Sequence, residues 1–121
     1  MNSLINVLVG IIAVLHLYFL WLEMFAWTTP KGLKIFRNDA EFAQKSAVLA
    51  ANQGLYNGFL AAGLIWSVFE VGNEALHLKV FFLSCVSIAG IYGGYTANKK
   101  IFIIQGLPAL ITLAIALNFY Y

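Results

Sequence analysis

Charged residues are scarce in this chain. Seven basic and five acidic residues make up 10% of the 121 positions, whereas soluble globular domains carry roughly 25%. With 62% hydrophobic residues and a mean hydropathy of +0.85, the composition is that of a membrane protein. The net charge of +2 gives no indication of a nucleic-acid partner.

Cysteine and the common catalytic motifs are also nearly absent. The one cysteine, Cys85, excludes an internal disulfide, and its place in an apolar helix indicates a packing residue. The sequence has no zinc-ligand spacing, no glycine-rich phosphate loop and no nucleophile elbow. We therefore expect no metal site and no catalytic thiol.

What the chain does have is long apolar runs, and a run of about 20 residues suffices to cross a bilayer. Four runs fit, at residues 4–27, about 47–69, about 80–96 and 101–121. The first lacks a preceding basic residue and a small-residue cleavage pattern, so we interpret it as a retained span. Short connections such as "ANKK" predict antiparallel neighbours. We expect one domain, residues 1–121, folded as an all-α four-helix transmembrane bundle.

The basic residues predict the orientation, because cytoplasmic loops carry the excess of Lys and Arg. Six of the seven fall in the first and third loops, which share one side, and the second loop holds only Lys79. The six are Lys31, Lys34, Arg37, Lys45, Lys99 and Lys100. We therefore predict a multi-pass protein of the cell's inner (plasma) membrane, with both termini on the non-cytoplasmic side.

The first loop, "TTPKGLKIFRNDAEFAQKS", is the one long polar segment. Its start, "TTPKG", predicts a turn. Asn38 or Asp39 is placed to cap a helix that begins at "AEFAQKS" and continues into the second span. Two interpretations of its charge are open: attraction to anionic headgroups, or a mouth that draws in an anionic or amphipathic ligand.

The stretch "NQGLYN" places three carboxamides and a tyrosine inside the second span. Asn52 pairs with Tyr56, and Gln53 with Asn57, at the four-residue spacing of successive helical turns. The glycines of "GLYNG" form a third surface that allows another helix to approach closely. "GIYGG" in the third span offers the same contact.

Ionisable and polar residues of other spans predict a site beside this surface. His16 and Glu23 lie seven residues apart on one face of the first helix, or roughly 10 Å. Exposing either side chain to lipid would cost free energy, so we expect both to face the interior of the bundle or a wet cavity. Gln105 lies about one turn inside the fourth span, and Pro108 exposes a backbone carbonyl in the turn before it. Together they predict a cytoplasm-facing polar pocket in the inner half of the bilayer.

We expect this pocket to bind a small or amphipathic molecule. The predicted ligand-binding residues are Asn52, Gln53, Asn57 and Gln105. Whether the protein is an enzyme is left open. If it is, proton transfer or an epoxide-type rearrangement is the expected chemistry, with Tyr56 or His16 as the acid and Glu23 as base or charge stabiliser.

Other interpretations of the same residues remain open. The amides and the histidine are also suited to hydrogen bonds that hold helices together in a membrane. A small transport or permeation protein would need an oligomer to enclose a path, and the outer halves of the spans offer few polar residues for one. In a scaffold subunit the glycine surfaces would matter and the amides would not.

Three stretches carry a resemblance to a known family: "HLYFLWLEMFAWTTP", "VLAANQGLYNGFLAAGLIW" and the hairpin "IYGGYTANKK…QGLPA". They resemble a family of small bacterial membrane proteins catalogued as a domain of unknown function, the 1304 family. The resemblance covers essentially the whole chain. It implies the architecture and no particular activity.

Size, four spans and a long basic first loop are more distantly similar to the membrane-associated eicosanoid and glutathione metabolism (MAPEG) family and to styrene oxide isomerase. That resemblance implies a homotrimer with sites between subunits, and glutathione or haem as cofactor. Asn52 matches an asparagine of the glutathione enzymes, although Lys45 is the nearest upstream cation and Leu55 or Tyr56 stands where they carry an acid. The isomerases carry a haem-ligating histidine in the second helix, and His16 here lies in the first.

Overall fold

The computed structural model describes residues 1–121, and every regular element is helical. Four helices come first: α1 (Asn2–Met24), α2 (Pro30–Phe36), α3 (Ala40–Phe69) and α4 (Gly72–Thr96). A short α5 (Lys99–Ile101), a π-helix (Phe102–Gly106) and α6 (Leu107–Tyr120) complete the chain. The all-α prediction is confirmed.

Three helical segments are long and apolar enough to cross a membrane: Asn2–Met24, Gly72–Thr96 and Lys99–Tyr120. Helix α3 has 30 residues but is not among them. The carboxamides of "NQGLYN" lower its hydropathy below that of the other three. The four-span bundle and the orientation of its termini therefore stay predictions.

The first loop contains a helix, which corrects part of the predicted turn. Thr28 and Thr29 lie in the turn, but Pro30 and Gly32 belong to α2. The Thr29 hydroxyl accepts a hydrogen bond from the Gly32 N–H at 3.3 Å, as a helix N-cap does. Proline suits the first helical position, because its fixed φ matches the helix and its missing N–H would have no partner there.

Helix α3 starts where the sequence predicts a cap. The Asp39 carboxylate accepts a hydrogen bond from the Phe42 N–H at 2.7 Å, directly before Ala40. Arg37 ends α2 in the left-handed region, at φ 55°, and its N–H bonds the Leu33 carbonyl. The prediction of a capped helix that continues through "AVLAANQ" is confirmed.

The second predicted loop, "EVGNEALHLK", is mostly helix, because α4 begins at Gly72. Lys79 is therefore not a loop residue. It is 2% exposed, and its Nζ donates a hydrogen bond to the carbonyl of Ser67 at 2.8 Å. Because that carbonyl lies in the last turn of α3, the lysine caps the helix end. Lys79 therefore no longer counts as a charge of the second loop, and the orientation prediction rests on the other six basic residues.

The chain packs as two compact units. The first, which we call the terminal unit, consists of Met1–Ala13 and Ala62–Tyr121. The second, the central unit, is Val14–Ala61.

In the terminal unit, α4 packs against the π-helix and α6. A side chain at Gly90 would overlap the backbone N and Cα of Gly106, so the two backbones touch. The predicted close approach through the glycines of "GIYGG" is confirmed. Within the π-helix turn, the Leu107 N–H bonds the Phe102 carbonyl five residues earlier, and Pro108 follows directly with no N–H to give.

Candidate functional site

Glu23 and Asn57 form the polar centre of the central unit. The Asn57 Nδ2 donates a hydrogen bond to the Glu23 Oε1 at 2.5 Å. Asn57 is 6% exposed, and Glu23 in the last turn of α1 is half-buried. This hydrogen bond joins Glu23, a predicted catalytic residue, to Asn57, a predicted ligand-binding residue.

Glycines of α3 allow this pair to form. A Cβ at Gly54 would lie 2.8 Å from the Met24 Cγ and 3.1 Å from the Glu23 Cβ. One turn later, a Cβ at Gly58 would lie 2.7 Å from the Leu20 Cδ1. The bare surface predicted for "GLYNG" therefore faces α1, and it brings Asn57 within reach of the Glu23 carboxylate.

His16 lies on the same helix as Glu23 but is shielded from solvent. Its side chain is fully buried, and its ring meets Phe19 edge-on, with 5.5 Å between centroids. The haem ligation implied by the isomerase resemblance does not fit this side chain, which offers no open side for an axial ligand bond. The chain has no group of three or more His, Cys, Asp and Glu side chains that could hold a metal ion.

The other polar residues of "NQGLYN" point away from α1. Asn52 and Gln53 are exposed, and Tyr56 is 56% exposed with its ring against Phe59 at 5.7 Å between centroids. We call Asn52, Gln53 and Tyr56 the outer polar face of α3. The structure thus brings Glu23 and Asn57 together and leaves three predicted site residues on an open surface.

Gln105 belongs to the terminal unit, in the π-helix, where it is half-buried. A π-helix turn is uncommon and recurs at functional sites. The Pro108 carbonyl, on the next turn, accepts a hydrogen bond from the Thr112 hydroxyl at 2.8 Å. The role of Gln105 as a wall of the predicted pocket stays a prediction.

Two grooves also lie in the terminal unit. One, of about 350 Å³, runs between α4 and α6 and is bordered by His77, Phe81 and Tyr121. The other, of about 270 Å³, is bordered by Ile11 and Pro108 and is almost wholly apolar. None of the seven predicted site residues lines either groove.

Sequence reasoning missed two features. Lys79 looked like a loop charge, yet it follows Leu76 by three residues and precedes Leu83 by four, a helical stripe that is buried throughout. That periodicity was a usable signal. The second feature is a cluster of Tyr18, Trp21 and Lys31, in which the Lys31 Nζ lies over both rings. No local spacing indicates this contact, because it depends on how α2 packs against α1.

Comparison with known proteins places the chain in a family. A family model described as "Protein of unknown function (DUF1304)" matches residues 10–117. The chain belongs to this family. It is also similar to an uncharacterized protein, YpaA, of Lactococcus lactis subsp. lactis (strain IL1403), with 32% identity over 115 residues, 93% of this chain and 96% of the relative. No solved structure matches the chain.

The family confirms the first resemblance seen in the sequence and assigns no activity. Neither the family model nor the Lactococcus relative supports the more distant resemblance to the MAPEG family and styrene oxide isomerase. What that resemblance implies, namely a trimer with glutathione or haem, stays a prediction, and a haem would need a ligand other than the buried His16.

Proposed function

We propose that this member of the family is a multi-pass inner-membrane protein that binds a small or amphipathic molecule at the polar surface of α1 and α3. The observation that carries the proposal is the hydrogen bond between Glu23 and Asn57, beside the outer polar face of α3. A carboxyl group in an apolar helix is expensive in a membrane and is commonly functional.

Helix association alone explains these residues poorly. Gly54 and Gly58 already provide the contact between α3 and α1, and small residues of this kind are sufficient to pack membrane helices. The interhelical hydrogen bond accounts for Asn57 only. Asn52, Gln53 and Tyr56 are exposed, so they contribute nothing to that contact, and they make α3 less apolar than the other long helices.

The exposed groups suit recognition of a polar ligand group. Two carboxamides supply both donors and acceptors, and the Tyr56 hydroxyl adds a proton that can be given or taken. Tyr56 fits the acid role better than His16, because the Tyr56 side chain is exposed and the His16 side chain is fully buried. Glu23 would serve as base or charge stabiliser, oriented by Asn57.

A homo-oligomer would complete this surface, since exposed carboxamides in a membrane need a polar partner. A neighbouring subunit, as in the predicted trimer, would cover the outer polar face and enclose the ligand. Gln105 stays a separate candidate for ligand contact. Transport in an oligomer and a scaffold role are the alternatives, and both make Tyr56 chemically irrelevant.

Native mass spectrometry of the protein in mild detergent, with an absorption spectrum of the same sample, tests the proposal. The wild type is expected to retain a non-lipid molecule. The double variant Asn52→Leu, Gln53→Leu is expected to lose it, because the amides that orient it are gone. With the retained molecule identified, Tyr56→Phe is expected to lower turnover by about 10²-fold or more if the hydroxyl transfers a proton.

Tyr92→Phe is the matched control, since Tyr92 is an exposed tyrosine of the terminal unit. It should leave retention and turnover unchanged. A wild-type protein that carries only lipid and detergent, or a double variant that retains the molecule equally well, would remove the proposed site.

A further inference from the structure

Helix α2 and its C-cap carry three exposed cations that no carboxylate neutralises. They are Lys31, Lys34 and Arg37, and none of them forms a salt bridge, whereas Lys45 is paired with Glu41 at 3.0 Å. Helix α2, "PKGLKIF", contains no acidic residue. The next carboxylate along the chain, Asp39, accepts a hydrogen bond from the α3 backbone. The segment therefore presents uncompensated positive charge.

One of these cations is held in a defined position. The Lys31 Nζ lies 5.3 Å from the ring centroid of Trp21 and 5.6 Å from that of Tyr18. The two rings stack on each other, with 6.1 Å between centroids. A cation over aromatic faces is attracted by the ring quadrupole. Both rings remain partly exposed, so the ammonium group can still donate outward.

Helix α2 itself is fixed against the end of α1. The Thr29 hydroxyl donates a hydrogen bond to the Ala26 carbonyl at 2.7 Å. Gly32 is buried so tightly that a side chain there would overlap the same carbonyl oxygen. The Trp27 ring contacts Phe36 at 4.6 Å between centroids. The cations are thus carried by a supported element rather than by an open loop.

We propose that Lys31, with Lys34 and Arg37, binds the phosphate of an anionic phospholipid headgroup. Tyr and Trp side chains favour the headgroup level of a bilayer, so Tyr18 and Trp21 set the depth at which Lys31 meets lipid phosphate. Basic residues directly beside a span attract anionic lipid. The inference uses none of Glu23, Asn57 or the outer polar face, so it and the ligand site can fail separately.

The test is a titration of the full-length protein in mild detergent with phosphatidylglycerol and, separately, phosphatidylcholine, followed by native mass spectrometry. The wild type is expected to bind phosphatidylglycerol preferentially. Lys31→Gln is expected to weaken that binding roughly fivefold, which is the effect of one basic residue near an anionic surface. Trp21→Leu keeps every charge but removes a ring that positions Lys31, and it should weaken binding in the same direction.

Lys45→Gln is the matched control, because it removes the same charge from a lysine that is already paired. Helical circular dichroism of each variant checks folding. The inference is overturned if Lys45→Gln weakens binding as much as Lys31→Gln, since that would be an effect of net charge. It is also overturned if Trp21→Leu binds like the wild type, or if millimolar glycerol phosphate displaces the lipid fully.

Discussion

Two of the helix contacts that depend on glycine differ in the polar groups beside them. In the terminal unit, Gly90 and Gly106 let α4 and the π-helix meet backbone to backbone. In the central unit, Gly54 lets α3 approach the side chains of α1, and the Glu23–Asn57 hydrogen bond lies beside it.

Two hydroxyl groups near the first contact form hydrogen bonds within their own helices. The Ser87 hydroxyl bonds the Leu83 carbonyl at 2.7 Å, and the Thr112 hydroxyl bonds the Pro108 carbonyl. These two hydroxyl groups therefore bond carbonyls of their own helices, whereas the Glu23–Asn57 pair of the central unit joins two helices. The backbone contact at Gly90 and Gly106 is a matter of close packing, and the central unit adds a carboxylate–amide pair beside its glycine contact.

The largest effect is expected from Gly90→Ala. The new methyl group would overlap the backbone of Gly106, which cannot move as a side-chain end can. Overpacking of this kind typically costs about 1–3 kcal/mol, and this contact should reach the upper end. The melting temperature in mild detergent measures it. Gly10→Ala is the matched control, because nothing lies within 4 Å of the place its methyl group would take and the helix gains about 0.5–1 kcal/mol.

A smaller loss of stability is expected from Gly54→Ala. Its methyl group would meet the Met24 Cγ at 2.8 Å, and a flexible thioether side chain can move aside. The Leu20 carbonyl at 3.1 Å keeps some of the strain, so we expect a cost of about 1 kcal/mol. Melting in the same detergent compares the two alanine variants directly. Equal losses for Gly54→Ala and Gly90→Ala would contradict the distinction between a side-chain and a backbone contact.

The smallest effect on stability is expected from Asn57→Ala, which removes the amide from Glu23. Hydrogen bonds between membrane helices average about 0.6 kcal/mol, so the melting temperature should fall only slightly. Asn118→Ala is the control, since the Asn118 amide donates to the Ala114 carbonyl of its own helix. A loss as large as that of Gly90→Ala would show that the polar pair holds the fold together, and the functional interpretation would then weaken.

Much of the fold follows from local sequence. The apolar runs predict the long helices, and Asp39 predicts the start of α3 because a short acceptor side chain before "AEF" has a local partner. Pro30 and Lys79 were wrongly predicted to lie in loops, because proline and lysine are both common in loops. Pro30 is tolerated at the first position of a helix, and Lys79 is buried because a carbonyl of another helix receives its ammonium group.

The site is predictable only in part. Residue types alone single out Glu23 and the amides, but they leave undetermined which amide faces α1. That choice depends on how α3 is rotated, and the rotation is set by Gly54 and Gly58. Asn57 follows Gly54 by three residues, so it lies on the glycine side of the helix. Asn52 and Tyr56 lie off that side, and the contact of Lys31 with Trp21 depends on tertiary packing that no local pattern encodes.

The hydrogen bond from Lys79 to Ser67 also bears on how the protein enters a membrane. Inserted singly, α4 would carry an ammonium group into lipid, and the last turn of α3 would leave its carbonyl without a donor. When the two helices lie side by side, the ammonium group and the carbonyl are each other's partner, and the connection between the helices is only two residues long, Glu70 and Val71. If α3 is the predicted second span, we therefore expect the end of α3 and the start of α4 to enter the membrane together as a hairpin.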